Sequence, residues 1–571
     1  MLRNKHHLFL ILALSALATA MINFNLTKAI IFDGYLTNPA LVSGNPYYLE
    51  LVNESSKGNW QLGSPFIKEW RNSPYLYPAL NFHLPGMIKS FFDLSIKSTL
   101  ILLDYGAVFV LLASTLAFFL VLFKFNYFGY VAAFAYIFFP FRTIEWSRTI
   151  NPQVSFIPFA LFLLFYFSNF RFWIRELGMA FLTGFLFYIY PYYWTFALVL
   201  LGLSDLWEWA VVKKIIWKHL LKYLLIGLVA SQYFLNFWEI TRLPYYRETV
   251  MRIGFLYSRW PAGLYTQAAI VFVLLLFFLF KKYILERQPL NLEKSVNFKQ
   301  LCIGLAASLL VLNQQLITGV QMEFNSHYFP IALIFMVAMT WGMALVFLSK
   351  LELRNQFLRL FGFLLAFGFL YYGFYWYTRE NPYRMPERYP SQDQLEVYDW
   401  FNQNQIRDAV VYSPVELNDG ILLLTNNYLY FHGSQELHLM PTEEIIDRFT
   451  YYDLFNSNLT DRLAEEQVQV FGHTFQSAWQ KDQVLGKIRS FLSRKPFVPA
   501  TLESYTAYDF EPMRRIRMRP DFSEFAGHLK KYNVDYLVYR HRDGNTLYQE
   551  VPGQIVFEND GYIIKKFFMN N

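Results

Sequence analysis

"LILLDYGAVFVLLASTLAFFLVLF", residues 100–123, is an apolar run with a single ionisable side chain, Asp104. A helix rises about 1.5 Å per residue, so about 20 apolar residues are enough to cross the hydrocarbon core of a membrane. Similar runs recur along the 571-residue chain, which is 55% hydrophobic and only 16% charged. This composition is too apolar for an ordinary soluble protein and predicts a mainly α, polytopic membrane helix bundle.

Apolar periodicity predicts about eleven membrane spans. They are residues 8–24, 100–123, 125–139, 154–167, 177–190, 193–209, 220–238, 265–280, 301–317, 330–348 and 361–377. The first run also resembles a secretory signal sequence, but a retained helix is favoured because the later spans need no separate export signal. Several runs are short, so we expect some helices to be tilted or partly re-entrant.

Positive charge marks alternate connections between these runs. Lys213, Lys214 and Lys218 follow the sixth predicted span, and Lys281 and Lys282 follow the eighth. Cytoplasmic loops carry such an excess of lysine and arginine, so the N-terminus is predicted inside and the C-terminus outside. Most polar segments of unusual composition then lie on the outer face. We therefore predict a multi-pass protein of the bacterial cytoplasmic (inner) membrane with a site that faces outward.

Beyond the last predicted span, the composition changes to that of a soluble domain. Ser391 followed by Gln394 predicts a capped helix start, and "DAVVYSPV" and "VDYLVYRH" are typical of strands. "QIVFENDGYIIKKFF" predicts a hairpin that turns at Asn-Asp-Gly. We predict a transmembrane domain at residues 1–378, with a long first outer loop at 25–97, and an extracytoplasmic α/β domain at 379–571.

Charge, cysteine content and missing motifs exclude several functional classes. The net charge is +7, but the basic residues flank the apolar runs rather than forming one patch, so no nucleic-acid partner is predicted. The single cysteine, Cys302, rules out a disulfide within the chain. The sequence has no Walker loop, dinucleotide-binding glycine fingerprint, HExxH motif or CxxC pair. These absences count against ATP-driven transport, redox chemistry and zinc proteolysis.

Two acidic residues of the first outer loop are candidate catalytic residues. Asp33 lies within about ten residues of the first span, where partial desolvation would raise its basicity and suit a general base. The Asp33-Gly34 pair is equally typical of a turn. Glu50 is a second carboxylate of this loop, and a solvated surface position is the alternative for it.

The connection "FRTIEWSRTINPQVSF" carries Arg142 and Arg148, with Asn151 at the start of the next predicted helix. Two guanidinium groups at the membrane surface could hold a phosphate or pyrophosphate through paired N–H donors, and a helix N-terminus adds further donors. Arginines also reach routinely towards lipid phosphates without any binding role. Both interpretations stay open for this segment.

Polar side chains also lie at the end of the ninth predicted span and in the connection to the tenth. Gln314 and Gln315 lie near the end of one span, and Glu323 and His327 precede the next. Amides in lipid are costly unless they have partners, so we expect them to face the bundle interior or a water-filled cavity. There they could orient a sugar or its phosphate, with His327 as a donor or proton carrier. The alternative is that the amides join neighbouring helices and the loop is a hydrated turn.

The loop "RLPYYRETVMRIGFLYSRW" alternates arginines with aromatic residues and includes Arg252. Aromatic faces stack on sugar rings and arginines bind phosphates, so the mixture suits a glycolipid pocket. An amphipathic helix lying on lipid headgroups would have the same composition.

Four segments, "GNPYYLELVNESSKGNWQLGSP", "RTINPQVSF", "GFLFYIYPYYW" and "LNQQLITGVQMEFNSHYF", resemble parts of bacterial membrane proteins of the GT-C superfamily of glycosyltransferases. The plan of residues 1–377 is also similar, with one span, a long outer loop with an early acidic residue, and many further spans. The resemblance implies a GT-C-like fold, a polyprenyl-phosphate sugar donor, and a catalytic acidic residue that falls on Asp33. Tyr190, in the third segment, is a candidate substrate-binding residue.

One position departs from the resemblance. Similar proteins often have an aspartate where this chain has Asn45. If that aspartate is the catalytic residue of this subgroup, the chain would be weak or inactive, with Glu50 as a substitute. No DxD or paired Asp-Glu motif is present, so no cofactor is certain, and a requirement for a divalent metal is left open.

Together these features predict an integral membrane glycosyltransferase that moves a hexosyl or pentosyl group from a polyprenyl-phosphate donor to a cell-envelope acceptor on the outer face. The acceptor is a glycan, lipid or protein, and membrane lipids are further partners. Two alternatives remain. A non-catalytic glycan- or lipid-binding membrane protein is favoured by Asn45. A lipid or polysaccharide transporter should have polar residues on both membrane faces along a pathway.

Overall fold

The structure is a computed structural model. It describes residues 5–24, 27–28, 46–138, 146, 148, 150–214, 217–259, 261, 263–285, 296–322, 325–350, 355–379, 390–452, 470–474, 476–494, 496, 513, 515–516, 521–541 and 546–568. The mainly α fold and the small C-terminal sheet predicted from the sequence are both confirmed within these residues.

Helices dominate the chain up to residue 379. They are α1 (Lys5–Ile22), α2 (Pro46–Ser56), α3 (Leu80–Phe91), α4 (Ile96–Leu122, with a π-helical turn at Leu102–Ala107), α5 (Phe128–Ile137), α6 (Phe156–Phe167), α7 (Phe172–Leu186), α8 (Pro191–Val212), α9 (Trp217–Val229), α10 (Ser231–Ile240), α11 (Tyr246–Arg252), α12 (Leu264–Phe280), α13 (Phe298–Leu312), α14 (Gln314–Thr318), α15 (Phe329–Lys350) and α16 (Asn355–Arg379). A short antiparallel pair, β1 (Leu256–Tyr257) and β2 (Val320–Gln321), joins two of the loops.

Every predicted span coincides with a helix or a bent helix pair, but fewer helices are long enough to cross a membrane. Six described helices pass by length and composition, namely α1, α4, α8, α12, α15 and α16. The pair α9 and α10, bent by 50°, would make a seventh. The remaining four, α5, α6, α7 and α13, are 10 to 15 residues long. The eleven predicted spans therefore fall on six described helices long enough to cross a membrane, one bent helix pair and four shorter helices.

The apolar helices pack around one buried core that includes Leu116, Phe159 and Phe335. Glycine permits close approach in this core, because a Cβ on Gly304 would overlap the ring of Phe335. Small residues at such contacts are typical of helix packing in membranes, where the apolar lipid removes the hydrophobic driving force.

The C-terminal part is an α/β domain built on a five-stranded sheet. Its elements are α17 (Gln392–Gln403), β3 (Val410–Tyr412), α18 (Val415–Thr425), β4 (Tyr428–Leu429), α19 (Thr442–Tyr451), α20 (Gln476–Ser493), α21 (Phe522–Lys531), β5 (Tyr536–Arg540), α22 (Thr546–Glu550), β6 (Gly553–Glu558) and β7 (Tyr562–Phe567). The strand order is β4-β3-β5-β7-β6, with β3 parallel to β4 and β5 and the other pairs antiparallel. The predicted capping box at Ser391 and Gln394 and the predicted hairpin β6–β7 are both present.

The segment that follows the first span packs directly on this α/β domain. Apolar residues of α2, such as Leu49 and Leu51, share a core with Val397 and Val538 of the domain. A backbone hydrogen bond supports this packing, since the Leu429 N–H donates to the Phe66 carbonyl at 2.8 Å. The C-terminal domain therefore holds α2 and α3 in place, and these helices form one side of the site described next.

Candidate functional site

A cavity of about 220 Å³ lies where distant parts of the chain converge at one end of the helix bundle. The side chains come from α2, α3 and the segment before it, the residues before α6, the start of α8, the turn before α15, and the C-terminal domain. This cavity, named the tyrosine cavity below, is lined by Tyr47, Tyr48, Tyr75, Tyr77, Pro78, Asn81, Phe82, Arg148, Asn151, Ile189, Tyr190, His327 and Leu437.

Local backbone contacts bring α3 to the bundle. The Leu80 N–H, in the first turn of α3, donates to the Tyr188 carbonyl at 3.0 Å, in the turn between α7 and α8. Gly86 lets α3 lie close to α2, because a Cβ there would be 2.6 Å from Ser55 Oγ. Tyr190 is the N-cap residue of α8, followed by Pro191 at the first helical position, where proline is well tolerated. These contacts fix two walls of the tyrosine cavity.

Tyr190 and His327 are hydrogen-bonded neighbours in the cavity lining. The Tyr190 hydroxyl lies 2.7 Å from Nδ1 of His327, which belongs to a short 3-10 turn before α15. Burial, and secondarily the charge of Arg148, lower the pKa of His327 to about 4. The imidazole is therefore neutral near pH 7, and it can exchange hydrogen bonds but carries no positive charge.

Arg148 supplies a positive charge to the same wall. Its guanidinium carbon lies 5.7 Å from the centre of the Tyr48 ring, within the range of a cation–π contact. Asn151, three residues on, accepts a hydrogen bond from Ser155 Oγ at 2.8 Å and lies beside the Tyr190 hydroxyl. A guanidinium here can bind a phosphate with its N–H groups.

The segment between Arg148 and α6 is held from behind by buried polar side chains. Gln153 donates from Nε2 to Asp104 Oδ1 at 2.7 Å, and the Ile150 N–H donates to Gln153 Oε1. Asn23, near the end of α1, donates to the Asp104 carbonyl at 2.7 Å. Asp104 of α4 thus has the Gln153 amide as its partner and orients the turn that carries Arg148.

Aromatic rings form the opposite wall. The hydroxyls of Tyr47 and Tyr75 lie 2.9 Å apart and both residues are buried. Behind them the ring of His438, from the C-terminal domain, lies 5.8 Å from each of the two tyrosine rings. Burial lowers the pKa of His438 to about 3, so this wall is uncharged and offers ring faces for packing.

The structure brings four of the predicted site residues together and separates the others. Arg148, Asn151, Tyr190 and His327 line the tyrosine cavity. Asp33, Asn45, Arg142 and Glu323 lie outside the described residues. The remaining candidates, Glu50, Gln314, Gln315 and Arg252, are described but do not belong to the cavity lining.

Glu50 of α2 is not among the residues that line the cavity. It is 3% exposed, and its Oε2 has no hydrogen-bond partner among the described residues. Burial raises the pKa of Glu50 to about 8, an effect that the nearby charge of Lys57 partly offsets. The carboxyl is therefore mostly protonated at pH 7.

Arg252, Gln314 and Gln315 make contacts within the protein. Arg252 is 1% exposed and donates to Thr442 Oγ1 and to the carbonyls of His438 and Met440. This arginine connects α11 to the C-terminal domain. Gln314 donates to the Val320 carbonyl and Gln315 to the Leu312 carbonyl, as expected of amides that hold a turn together. Their predicted role in substrate binding stays a prediction.

Nine cavity residues were not among the sequence-predicted candidates. They are Tyr47, Tyr48, Tyr75, Tyr77, Pro78, Asn81, Phe82, Ile189 and Leu437. The paired tyrosines in "NPYYLE" and "SPYLYP" were the available signal, because tyrosines clustered in this way are unusual for a purely solvated loop.

A second buried polar region lies at the other end of the same helices. Lys222 of α9 lies 3.1 Å from Glu176 Oε2 and 3.0 Å from Asp205 Oδ2. His219 Nδ1 lies 3.1 Å from Asp205 Oδ1, and the Tyr223 hydroxyl donates to Asp205 Oδ2 at 2.6 Å. These five residues are named the ionic cluster, and all of them except Tyr223 border a cavity of about 210 Å³.

The ionic cluster is far from the tyrosine cavity. Asp205 follows Tyr190 by fifteen residues of α8, which corresponds to about 22 Å along a helix. Within the described residues, no group of three or more His, Cys, Asp or Glu side chains could hold a metal ion.

Solved structures that are similar to this chain include two of ArnT from Cupriavidus metallidurans. The structure bound to undecaprenyl phosphate has a TM-score of 0.42 and 10% identity, covering 98% of this chain and 97% of that chain. The apo structure has a TM-score of 0.39 and 11% identity, covering 91% and 92%. No family model and no curated protein sequence matches the chain. Because both TM-scores are low, the function proposed next rests on the tyrosine cavity.

Proposed function

We propose that this protein is an integral membrane glycosyltransferase that uses a polyprenyl-phosphate sugar donor and acts at the tyrosine cavity. The observation that carries the proposal is the convergence of Arg148, Tyr190 and His327 with a wall of tyrosine rings in one cavity. These groups come from loops that are far apart in sequence. They combine a phosphate-binding cation with ring faces that suit a sugar.

Arg148 would hold the phosphate of the donor. A guanidinium offers parallel N–H donors that match two phosphate oxygens, and a partly buried setting strengthens this contact. The same contact stabilises the phosphate as it leaves the sugar, since negative charge on its oxygens increases in the transition state. Because a lipid phosphate is itself a good leaving group, the reaction needs no nucleotide outside the cell.

His327 would act as a neutral hydrogen-bonding group. If the Tyr190 hydroxyl donates to Nδ1, the proton of the neutral ring is on Nε2 and can be donated to a phosphate oxygen. Of the two roles predicted from the sequence, hydrogen-bond donor and proton carrier, this is the first, and burial favours the neutral ring by lowering the pKa of His327 to about 4.

The general base remains Asp33 in this proposal. It would remove the proton of the acceptor hydroxyl. Glu50 is a weaker candidate because its side chain is buried away from the cavity lining. A requirement for a divalent metal is tested by assaying activity with and without a chelator.

Orientation is part of the same proposal. The bacterial inner membrane, an N-terminus inside, and a cavity and C-terminal domain outside are supported by the distribution of lysine and arginine in the connections. The acceptor would be a cell-envelope glycan, lipid or protein that reaches the cavity from the side of the C-terminal domain, which contributes Leu437 to the lining.

One observation favours a second candidate function. The described lining of the tyrosine cavity contains no aspartate or glutamate. A glycan- or lipid-binding protein without catalysis would need the cation and the rings but no base. This candidate shares the ligand and differs only in turnover.

Sugar release from radiolabelled polyprenyl-phosphate donors by the purified protein distinguishes the two functions. The glycosyltransferase proposal expects turnover by the parent and a loss of at least a hundredfold in Asp33→Asn, with donor binding retained. Equal turnover by parent and variant would remove Asp33 from the mechanism. Donor binding without turnover, for any donor and acceptor, would establish the binding protein instead.

A further inference from the structure

The side-chain amide of Asn81 is a polar group of the tyrosine cavity that the mechanism above does not use. Asn81 lies in the first turn of α3 and is 4% exposed. Its Oδ1 is buried and accepts no hydrogen bond from any residue that the structure describes. Buried amide oxygens nearly always have a partner. At the wall of a cavity, the missing partner can be a ligand.

The surroundings of Asn81 indicate which ligand group would be the partner. Asn81 shares the cavity lining with Pro78, Phe82 and Tyr75, and the rings of Phe82 and Tyr75 lie 5.9 Å apart. A carbonyl-type oxygen accepts hydrogen bonds and repels an anion, so the partner must be a donor rather than a phosphate. Rings around one acceptor fit a hydroxyl of a sugar whose C–H face packs on an aromatic face.

The volume of the cavity limits the bound sugar to a single monosaccharide unit. Its volume of about 220 Å³ is below the roughly 300–1,000 Å³ of sites for drug-sized molecules. A monosaccharide with its phosphate fits this limit, whereas an oligosaccharide would have to extend outside.

We propose that Asn81 is the specificity-determining residue of a sugar subsite that takes an uncharged, hydroxylated monosaccharide. Oδ1 of Asn81 accepts a hydrogen bond from one ring hydroxyl, while Arg148 binds the phosphate at the other wall. This subsite rests on the function proposed above and adds the class of sugar to it. A site that pairs a buried acceptor with a substrate hydroxyl rejects an analogue without that hydroxyl, because the acceptor is then left unpaired.

Binding to three lipids tests this subsite in the full-length protein reconstituted in nanodiscs. The probes are a bare polyprenyl phosphate, its glucosyl ester and its arabinosyl ester, followed by monodeoxy analogues of whichever ester binds. The variants are Asn81→Leu, which removes the amide at similar size, and Asn81→Asp, which keeps acceptor oxygens. Asn402→Leu, at an exposed position of α17, is the matched control, and melting temperatures report folding.

The parent is expected to bind one glycosyl ester at least tenfold more tightly than the bare lipid, and one monodeoxy analogue at least tenfold more weakly than that ester. Asn81→Leu should abolish both differences without changing the Kd for the bare lipid. Asn81→Asp and Asn402→Leu should keep the preference for the hydroxylated sugar.

Two results would overturn the subsite, and they differ in what they imply for the proposed function. If the parent binds the bare lipid and both esters equally, or if every deoxy analogue binds like the full sugar, the subsite is wrong and the phosphate site stands. If the parent binds none of the lipids, the proposed function fails and the subsite fails with it. The deoxy series needs only the parent, so misfolding of a variant cannot rescue the proposal.

Discussion

The tyrosine cavity and the ionic cluster enclose similar volumes, about 220 and 210 Å³, but they satisfy their polar groups in different ways. In the ionic cluster, Lys222 lies between two carboxylates, so its charge is compensated within the protein. In the tyrosine cavity, Asn81 Oδ1 has no partner among the described residues, and the lining includes Arg148 but no described carboxylate.

This difference separates a structural region from a binding region. A buried charge is tolerated when an opposite charge is close, and such a pair needs no ligand. A buried hydrogen-bonding atom without a partner lowers the stability of the fold unless a ligand that enters the cavity supplies that partner. The transporter alternative predicts polar residues on both membrane faces along a pathway. Polar residues do occur at both ends of α8, but those at the end with the ionic cluster are paired with each other.

The largest expected effect is on stability and comes from the ionic cluster. Lys222→Met removes the cation that Glu176 and Asp205 share and leaves Glu176 with Arg175 alone, so the free energy of unfolding should fall by about 3 kcal/mol. Thermal unfolding in detergent measures this change, with the exposed Lys214→Met as the matched control. Binding of polyprenyl phosphate by the folded fraction should be unchanged. A weaker Kd with normal stability would mean that the ionic cluster, too, is a ligand site.

The second effect is on binding and comes from the tyrosine cavity. Arg148→Ala should weaken binding of polyprenyl phosphate by about a hundredfold, roughly 2.7 kcal/mol, because a charge-assisted contact to the phosphate is lost. Arg148→Lys should recover only part of it, since an ammonium cannot bind two oxygens in parallel. The exposed Arg407→Ala serves as the control. Unchanged affinity in Arg148→Ala would remove this residue from the phosphate site.

The third effect is the pH dependence of stability that Glu50 contributes, which is small for a change of one pH unit. Its folded-state pKa of about 8 is above its ordinary value of 4.5, so its contribution is fully present below about pH 4.5 and is lost as pH rises through 8. The free energy of unfolding should fall by up to about 1.4 kcal/mol per pH unit in this window.

Glu50→Gln should remove this slope, because the amide does not ionise. Melting temperatures from pH 5 to pH 9 measure it, and Glu239→Gln, at an exposed position of α10, should retain the slope of the parent. A parallel decline in Glu50→Gln and in the parent would show that Glu50 is not the group responsible.

The sequence was sufficient to identify those residues of the tyrosine cavity that are unusual by their own side-chain chemistry. Arg148 and His327 are conspicuous because charged and imidazole groups are rare next to apolar runs, and the structure places both in one cavity. The helices were equally predictable, because hydropathy follows the membrane. The ends of the helices were harder to predict, because an apolar residue such as Phe138 has the same hydropathy inside a helix and just beyond its end.

The other features depend on distances that the sequence does not encode locally. Asn81 is one of several asparagines in a long loop, and only the docking of α3 against Tyr188 turns it towards the cavity. Lys222, Asp205 and Glu176 belong to three different apolar segments, so each looks like an isolated charge until α7, α8 and α9 pack together. Arg252 looked like a ligand for phosphate, but the C-terminal domain supplies its partners.

Cryo-electron microscopy of the protein in nanodiscs with a non-hydrolysable glycosyl polyprenyl phosphonate would show where the donor headgroup binds. We expect density for the headgroup inside the tyrosine cavity, with phosphonate oxygens within hydrogen-bonding distance of the Arg148 guanidinium and the sugar beside Asn81. Density for the headgroup at the ionic cluster, or an empty tyrosine cavity at a lipid concentration that saturates binding, would contradict it.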